Sequence, residues 1–162
     1  MRQSRLRRLW PAIVLLAVAG FSTHCPGMFR RNPPLDRITL PPGFEITVYA
    51  NNVPGARSLT VSPGGTLFVG TRDAGRVYAM RDDNNDHVAD RVITLARGLD
   101  SPNGIAFRDG ALYVTDVRRV LRFDNIEANL DDPPDPVVVF DDLPADGGHD
   151  WRYTAFGPDG KL

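Results

Sequence analysis

The chain has 162 residues but only one cysteine, Cys25, so no internal disulfide can form, and only one lysine, Lys161. It carries no serine nucleophile elbow, no P-loop, no Gly-x-Gly-x-x-Gly and no Cys-x-x-Cys. Readings as a serine hydrolase, an NTPase, a Rossmann dehydrogenase or a zinc finger therefore have no support. No run of ~20 apolar residues is present, which excludes a multi-span membrane protein. There is no Gly-x-y period, so the chain is not collagen-like, and a hydrophobic content of 42% argues against disorder throughout. What it has in excess is turn formers: 15 Gly and 14 Pro, too many for a helical bundle. The length suits one domain.

Charge is uneven along the chain. Residues 1–31 hold Arg2, Arg5, Arg7, Arg8, Arg30 and Arg31 and no acid, which leaves 13 basic residues against all 20 acids in the rest. That acidic body repels a phosphate backbone, so nucleic acid is not an expected partner.

The N-terminus reads as an address. Arginines precede an apolar run from Leu9 to Phe21, interrupted only by Pro11, which is the n-region and h-region of a secretory signal. Ala17-Val18-Ala19 offers a cleavage site after Ala19. Lipidation at Cys25 is disfavoured because His24 is too bulky for the small residue a lipoprotein signal places there. Residues 1–25 are thus expected to be a signal peptide or a short membrane anchor, and residues 26–42, rich in proline, an extended linker. The body, 43–162, would lie outside the cytoplasm, secreted or periplasmic, touching a membrane only through the N-terminal segment.

The body repeats. Leu59–Val69, Ile105–Val114 and Thr154–Leu162 each read as apolar strand, Gly-containing turn, apolar strand. Leu67 and Leu112 are 45 residues apart, and Leu112 and Leu162 are 50 apart. A third strand follows the first two hairpins, at Arg76–Met80 and Arg119–Phe123, and a fourth at Val92–Leu95 and Val137–Phe140. Four short strands per repeat predict an all-β fold made of β-propeller blades, here about two and a half of them. The alternative is a single β-sandwich with similar hairpins. As it stands, the chain is expected to be the front part of a longer propeller, truncated at its C-terminus and marginally stable with its sheet edge open.

Aligning the repeats on Val61, Phe107 and Phe156 puts Arg57, Asn103 and Arg152 at one register, four residues earlier. First strands line a propeller's channel, so these three groups are expected to converge at its mouth and bind an anionic or polar ligand, unless each is simply a solvated loop residue. His149, on a Gly-flanked loop three residues before Arg152, is a candidate general base, with Asp146 or Asp150 to orient it. Asp82, Asn84, Asp86 and Asp90 alternate along one acidic loop and could supply oxygen ligands to Ca²⁺. The usual glycine is replaced by His87 and no Glu stands at the last ligand position, so an acidic turn without metal is the other reading.

Leu40-Pro-Pro-Gly-Phe-Glu-Ile46, Thr66-Leu-Phe-Val-Gly-Thr-Arg72, Asp82-Asp-Asn-Asn-Asp86, Ser101-Pro-Asn-Gly-Ile-Ala-Phe107 and His149-Asp-Trp-Arg-Tyr-Thr-Ala-Phe-Gly-Pro-Asp-Gly-Lys-Leu162 together resemble the glucose/sorbosone dehydrogenases, secreted six-bladed propellers that use pyrroloquinoline quinone (PQQ). The resemblance runs from about Leu40 onward. It implies PQQ-dependent oxidation of a sugar or an aldehyde, with electrons passed to an external acceptor. His149, eight residues before Gly157, matches the family's proton-accepting histidine. Where sorbosone-type members commonly read His-His-Gly-Trp-Arg-Tyr, this chain has Gly148 and Asp150 around His149. Arg57 and Arg152 become candidates for the quinone's carboxylates, while the family's calcium ligands and most quinone contacts fall beyond Leu162, so the chain as given is expected to be inactive alone. Two rivals remain. Pro102-Asn103-Gly104 is similar to a metal-binding turn of gluconolactonase-like hydrolases, although the Glu those enzymes carry before the first inner strand is missing from Pro54–Leu59. A non-catalytic propeller that binds a partner protein is the third reading.

Overall fold

In the computed structural model the described residues are 33–162; the signal segment, Cys25 and the first part of the linker lie outside them. Within the remainder of the linker a single 3-10 turn forms at Leu35–Arg37, and the residues around it are largely exposed. Among the described residues no helix is long and apolar enough to cross a membrane.

The body is all-β. Strands β1 (Ala56–Val61), β2 (Leu67–Thr71), β3 (Val77–Arg81) and β4 (Arg91–Ala96) form one antiparallel sheet in chain order. Strands β5 (Gly104–Arg108), β6 (Ala111–Thr115), β7 (Val120–Phe123) and β8 (Val137–Phe140) form a second sheet of the same order. Each is a meander because the connections are short and turn-forming. The β5–β6 connection is the two-residue turn Asp109-Gly110, with φ of +49° and +80°, and Arg108 pairs with Ala111 across it. Two positive φ angles in succession mark the type I′ turn, whose twist matches the strands it joins.

The third repeat forms its turn but not its strands. In the first repeat the Ser62 amide donates to the Thr66 carbonyl and the Gly65 amide to the Ser62 carbonyl, both at 3.0 Å. In the third the Gly157 amide donates to Lys161 at 2.8 Å and the Gly160 amide to Gly157 at 2.9 Å. Gly65 and Gly160 adopt matching φ values of +83° and +79°. Only Lys161 and Leu162 follow this last turn, too few residues for a ladder, so the expected third hairpin is present as a turn alone.

Period-two alternation sorts the side chains. Phe68, Val77, Ala79 and Leu95 of the first sheet face Ile105, Leu112, Val114, Leu121 and Phe123 of the second, and Ile126 and Leu130 close the end of this core. Phe107 stacks on Phe68 at 5.6 Å, bringing β5 against the first sheet. The opposite face of the first sheet, Val69, Tyr78 and Met80, is covered by Tyr49, Ala50 and Val53 from the segment that precedes it. On the second sheet the face that carries Tyr113, equivalent to the Phe68 face of the first, meets the third repeat, where Phe156 packs edge-on against Tyr113 at 5.0 Å. Phe68 and Tyr113 are equivalent positions, as are Phe107 and Phe156. An aromatic contact between the same two positions thus joins the first repeat to the second and the second to the third, stacked in one and edge-on in the other. Gly70 makes the first junction close: a Cβ there would sit 2.7 Å from the carbonyl oxygens of Pro102 and Asn103.

Candidate functional site

The first strands of the repeats line a cleft of about 460 Å³, with Arg57, Thr60, Ile105, Phe107, Tyr153 and Phe156 among its walls. Of the three register-matched polar residues Arg57 lines it, Arg152 borders a separate hollow, and Asn103 is buried outside both linings.

Arg57 sits at a β-bulge. Ala56 pairs with Thr71 and Ser58 with Gly70, which leaves Arg57 without a partner in the ladder. A bulge breaks the two-residue alternation, so the direction of Arg57 is not set by the face that carries Leu59 and Val61. Its guanidinium lies over the Trp151 ring, 5.4 Å from the centroid. Arg72, just past β2, places its guanidinium over the same ring at 4.5 Å and also pairs with the exposed Asp73 at 3.3 Å.

Asn103 is buried and engaged at both ends of its amide. Its Oδ1 accepts from Ser58 Oγ at 3.2 Å, and its Nδ2 donates to the Arg152 carbonyl at 2.6 Å. It ties all three repeats together at one register, which makes it scaffold to the site rather than a group offered to a ligand. Arg152 donates from its guanidinium to the Pro144 carbonyl, while its Nε is buried without a partner. A buried, unpaired donor is costly, and this one borders a second hollow of about 220 Å³ beside Thr115, Thr154 and Tyr153.

His149 is exposed, and its ring lies 5.0 Å from that of Trp151, tilted by 57°. Asp150, proposed to orient it, instead accepts from the Gly147 amide at 3.1 Å. The structure therefore groups His149, Trp151, Arg57 and Arg72. Sequence reasoning missed Arg72 and Trp151. The available signal was one of the chain's two tryptophans standing two residues from the candidate base.

The acidic loop stands apart from this group, between β3 and β4. Its four predicted ligands are close together, but the loop's own amides take their oxygens. Asp82 accepts from Asp86 at 3.2 Å and from His87 at 2.9 Å, Asp86 accepts from Val88 at 2.8 Å, and Asp90 accepts from Asp83 at 2.8 Å. Asn84 donates from Nδ2 to the Asp86 carboxylate at 3.1 Å, and its own Oδ1 accepts from the Asp86 amide at 2.9 Å. Asn85 and His87 reach φ of +60° and +66° to wrap the chain around these carboxylates. Burial pulls Asp82 upward, but hydrogen bonds from the amides of His87, Asp86, Asn85 and Asn84 outweigh it and hold the carboxyl below its ordinary range. Desolvation, then the charges of Asp82, Asp90 and Asp83, push the neighbouring Tyr49 phenol up. Among the described residues no group of three or more His, Cys, Asp or Glu side chains is arranged to hold a metal ion.

No family model matches the chain, and no solved structure matches it. An uncharacterized protein of Borreliella burgdorferi is 26% identical to it over 94 residues. That stretch is 57% of this chain and 23% of the other protein, so the chain covers less than a quarter of the length of this curated relative.

Proposed function

We propose that the two sheets are successive blades of a β-propeller and that the cleft along their first strands is the site of quinone-dependent oxidation of a sugar or an aldehyde, outside the cytoplasm. The recurring Phe68–Phe107 and Tyr113–Phe156 contacts support the propeller, because stacked repeats bury equivalent faces in equivalent ways. The motif resemblance supplies the chemistry. The observation that carries the site is the gathering of His149, Trp151, Arg57 and Arg72, of which Arg57 also lines the first-strand cleft.

PQQ is a flat polyanion, and an indole flanked by two guanidinium groups is a donor set that suits one. Arg57 and Arg72 would hold its carboxylates. When bound, the quinone supplies a two-electron acceptor for hydride. The chain's own part is proton transfer: the imidazole of His149 takes the hydroxyl proton of the substrate as its C–H bond breaks. Exposure of His149 lets that proton pass on to water. The loop from Asp82 to Asp90 remains a candidate Ca²⁺ position only if the cation displaces the amide hydrogen bonds that now close it.

The gluconolactonase-like reading weakens, because both ends of the Asn103 amide are already engaged within the scaffold. The test is dye-linked oxidation of sugars and aldehydes by the natural protein expressed from its own locus, with and without PQQ and Ca²⁺. Quinone-dependent turnover, reduced ~100- to 10,000-fold by His149→Ala, is the expected result. Turnover that needs a divalent metal but not the quinone would move the protein to the hydrolases. Function that survives His149→Ala unchanged would make it a binding module.

A further inference from the structure

We propose that Trp151 is a latch: by stacking under Arg57 and Arg72 it anchors the 144–152 strap to the first sheet and holds His149 there, against its own ring. The strap is short of other means to hold its tip. Its base is pinned, since Arg152 donates to the Pro144 carbonyl and the Arg152 carbonyl accepts from Asn103. Its tip contains Gly147 and Gly148 in succession, with φ of +93° and +101°, and a Cβ at either position would meet nothing within 4 Å. This is backbone with wide conformational freedom and little packing to restrain it. Within the strap the Asp150 carboxylate closes one turn on Gly147, but that bond moves with the loop and fixes nothing relative to the sheets.

Trp151 supplies the missing anchor. It belongs to the segment leading into the third repeat, yet the two groups over its ring come from the first sheet, one at the β1 bulge and one past β2. The bulge has a purpose in this light, because it frees Arg57 from the pleat to reach the indole. Two cations over one indole give a directional contact across repeats, and His149 is packed against that same ring at 5.0 Å. Trp151 is thus a positioning residue, acting on His149 through ring contact and through the strap. The anchorage is read without any ligand, and only its consequence for turnover rests on the oxidation reading.

The test follows the His149 ring resonances and amide exchange in the full chain, comparing Trp151→Ala, Trp151→Phe and the double variant Arg57→Gln/Arg72→Gln. Loss of the indole or of both guanidinium groups should move the His149 signal toward that of exposed His87 and speed exchange at Gly147 to Asp150 about tenfold. Amides of β6 should keep their protection, and Trp151→Phe should stay near the wild-type pattern. If Trp151→Ala perturbs the sheets as well, the arginine double variant, which keeps the indole, decides. Unchanged His149 signals and strap exchange in that double variant overturn the latch. Failed quinone-dependent turnover with these signatures intact overturns the oxidation reading alone.

Discussion

The junction between the two sheets and the junction between the second sheet and the third repeat use the same pair of aromatic positions but differ in everything around it. The first is dry: Phe68, Leu112, Val114 and Phe123 are essentially inaccessible, and the aromatic rings stack face to face. The second is half-exposed and polar: Phe156 meets Tyr113 edge-on under the Arg108 guanidinium, and a buried hydroxyl pair, Thr154 to Thr115 at 2.7 Å, replaces aliphatic packing. The same pair of positions is thus compatible with different ring geometry and very different burial. Stability should therefore concentrate at the first junction, while the second is free to carry the site.

The sharpest way to break this comparison is to truncate one residue on each side of it. Leu112→Ala, in the fully buried core between sheets, should lower unfolding free energy by about 3 kcal/mol in urea denaturation. Phe156→Ala, on the second junction, should lower it by about 1 kcal/mol. Equal losses would mean that the two junctions share the load and that the dry core is not the centre of the fold.

Equivalent turns sharpen it further. Thr71 closes the β2–β3 turn, its Oγ1 accepting from the Arg76 amide at 2.9 Å and donating to the Arg76 carbonyl at 2.7 Å. Asp116 closes the β6–β7 turn at the equivalent position, accepting from the Arg118 and Arg119 amides at 3.0 and 2.7 Å and pairing with the Arg119 guanidinium. Hydrogen bonding to Asp116, then its charge, raises Arg119 above the ordinary arginine range. Because Asp116 is almost wholly buried, Asp116→Ala strands two amides and should cost about 2–3 kcal/mol. Thr71→Val removes neutral bonds and should cost about 1 kcal/mol, read from the same denaturation curves.

Asn103 tests the register that joins all three repeats. Asn103→Ala leaves the Arg152 carbonyl and the Ser58 hydroxyl without their partner and should cost about 1–2 kcal/mol. Asn103→Asp keeps the bond from Ser58 but loses the donor to Arg152, so it should fall between wild type and alanine if the two bonds contribute separately. A cost as large as that of Leu112→Ala would mean the polar register, not the apolar core, holds the repeats together.

Much of the scaffold was legible in the sequence because period-two alternation and glycine turns are local. β8 coincides with the run of four apolar residues at Val137–Phe140, and the Gly65 and Gly160 turns form where their motifs stand. The site was legible only in part. Register alignment pointed to Arg57, Asn103 and Arg152, yet Arg57 lines the cleft, Arg152 borders another hollow, and Asn103 bonds to Ser58 and to the Arg152 backbone. It could not tell that Asn103 is enclosed, because burial of a polar side chain depends on what the neighbouring repeat offers it. Nor could alternation anticipate the bulge that re-aims Arg57. The pairing of Arg72 with Trp151 joins residues 79 positions apart, and contacts of that range leave no local trace. Likewise the spacing of Asp82, Asn84, Asp86 and Asp90 suited a cation, but spacing alone cannot show that the backbone amides of the same loop reach those oxygens.

The smallest expected effect belongs to that loop and separates it from the rest of the first sheet. In the folded chain Asp82 is held below its ordinary carboxylate range by the loop amides. Its contribution to loop closure is therefore complete above the unfolded-state value, ~3.9, and is lost as pH falls through the lower folded value. Acidification should release the amides of Asp86 and His87 first, seen as faster exchange and shifted resonances at those two positions, while β2 and β3 remain protected. Asp82→Asn should reproduce the acid form at neutral pH, with those amides opened and the sheet intact. If acid instead loosens β3 and the loop together, the loop is not an independent closure, and the carboxylate hydrogen bonds reach into the stability of the first sheet itself.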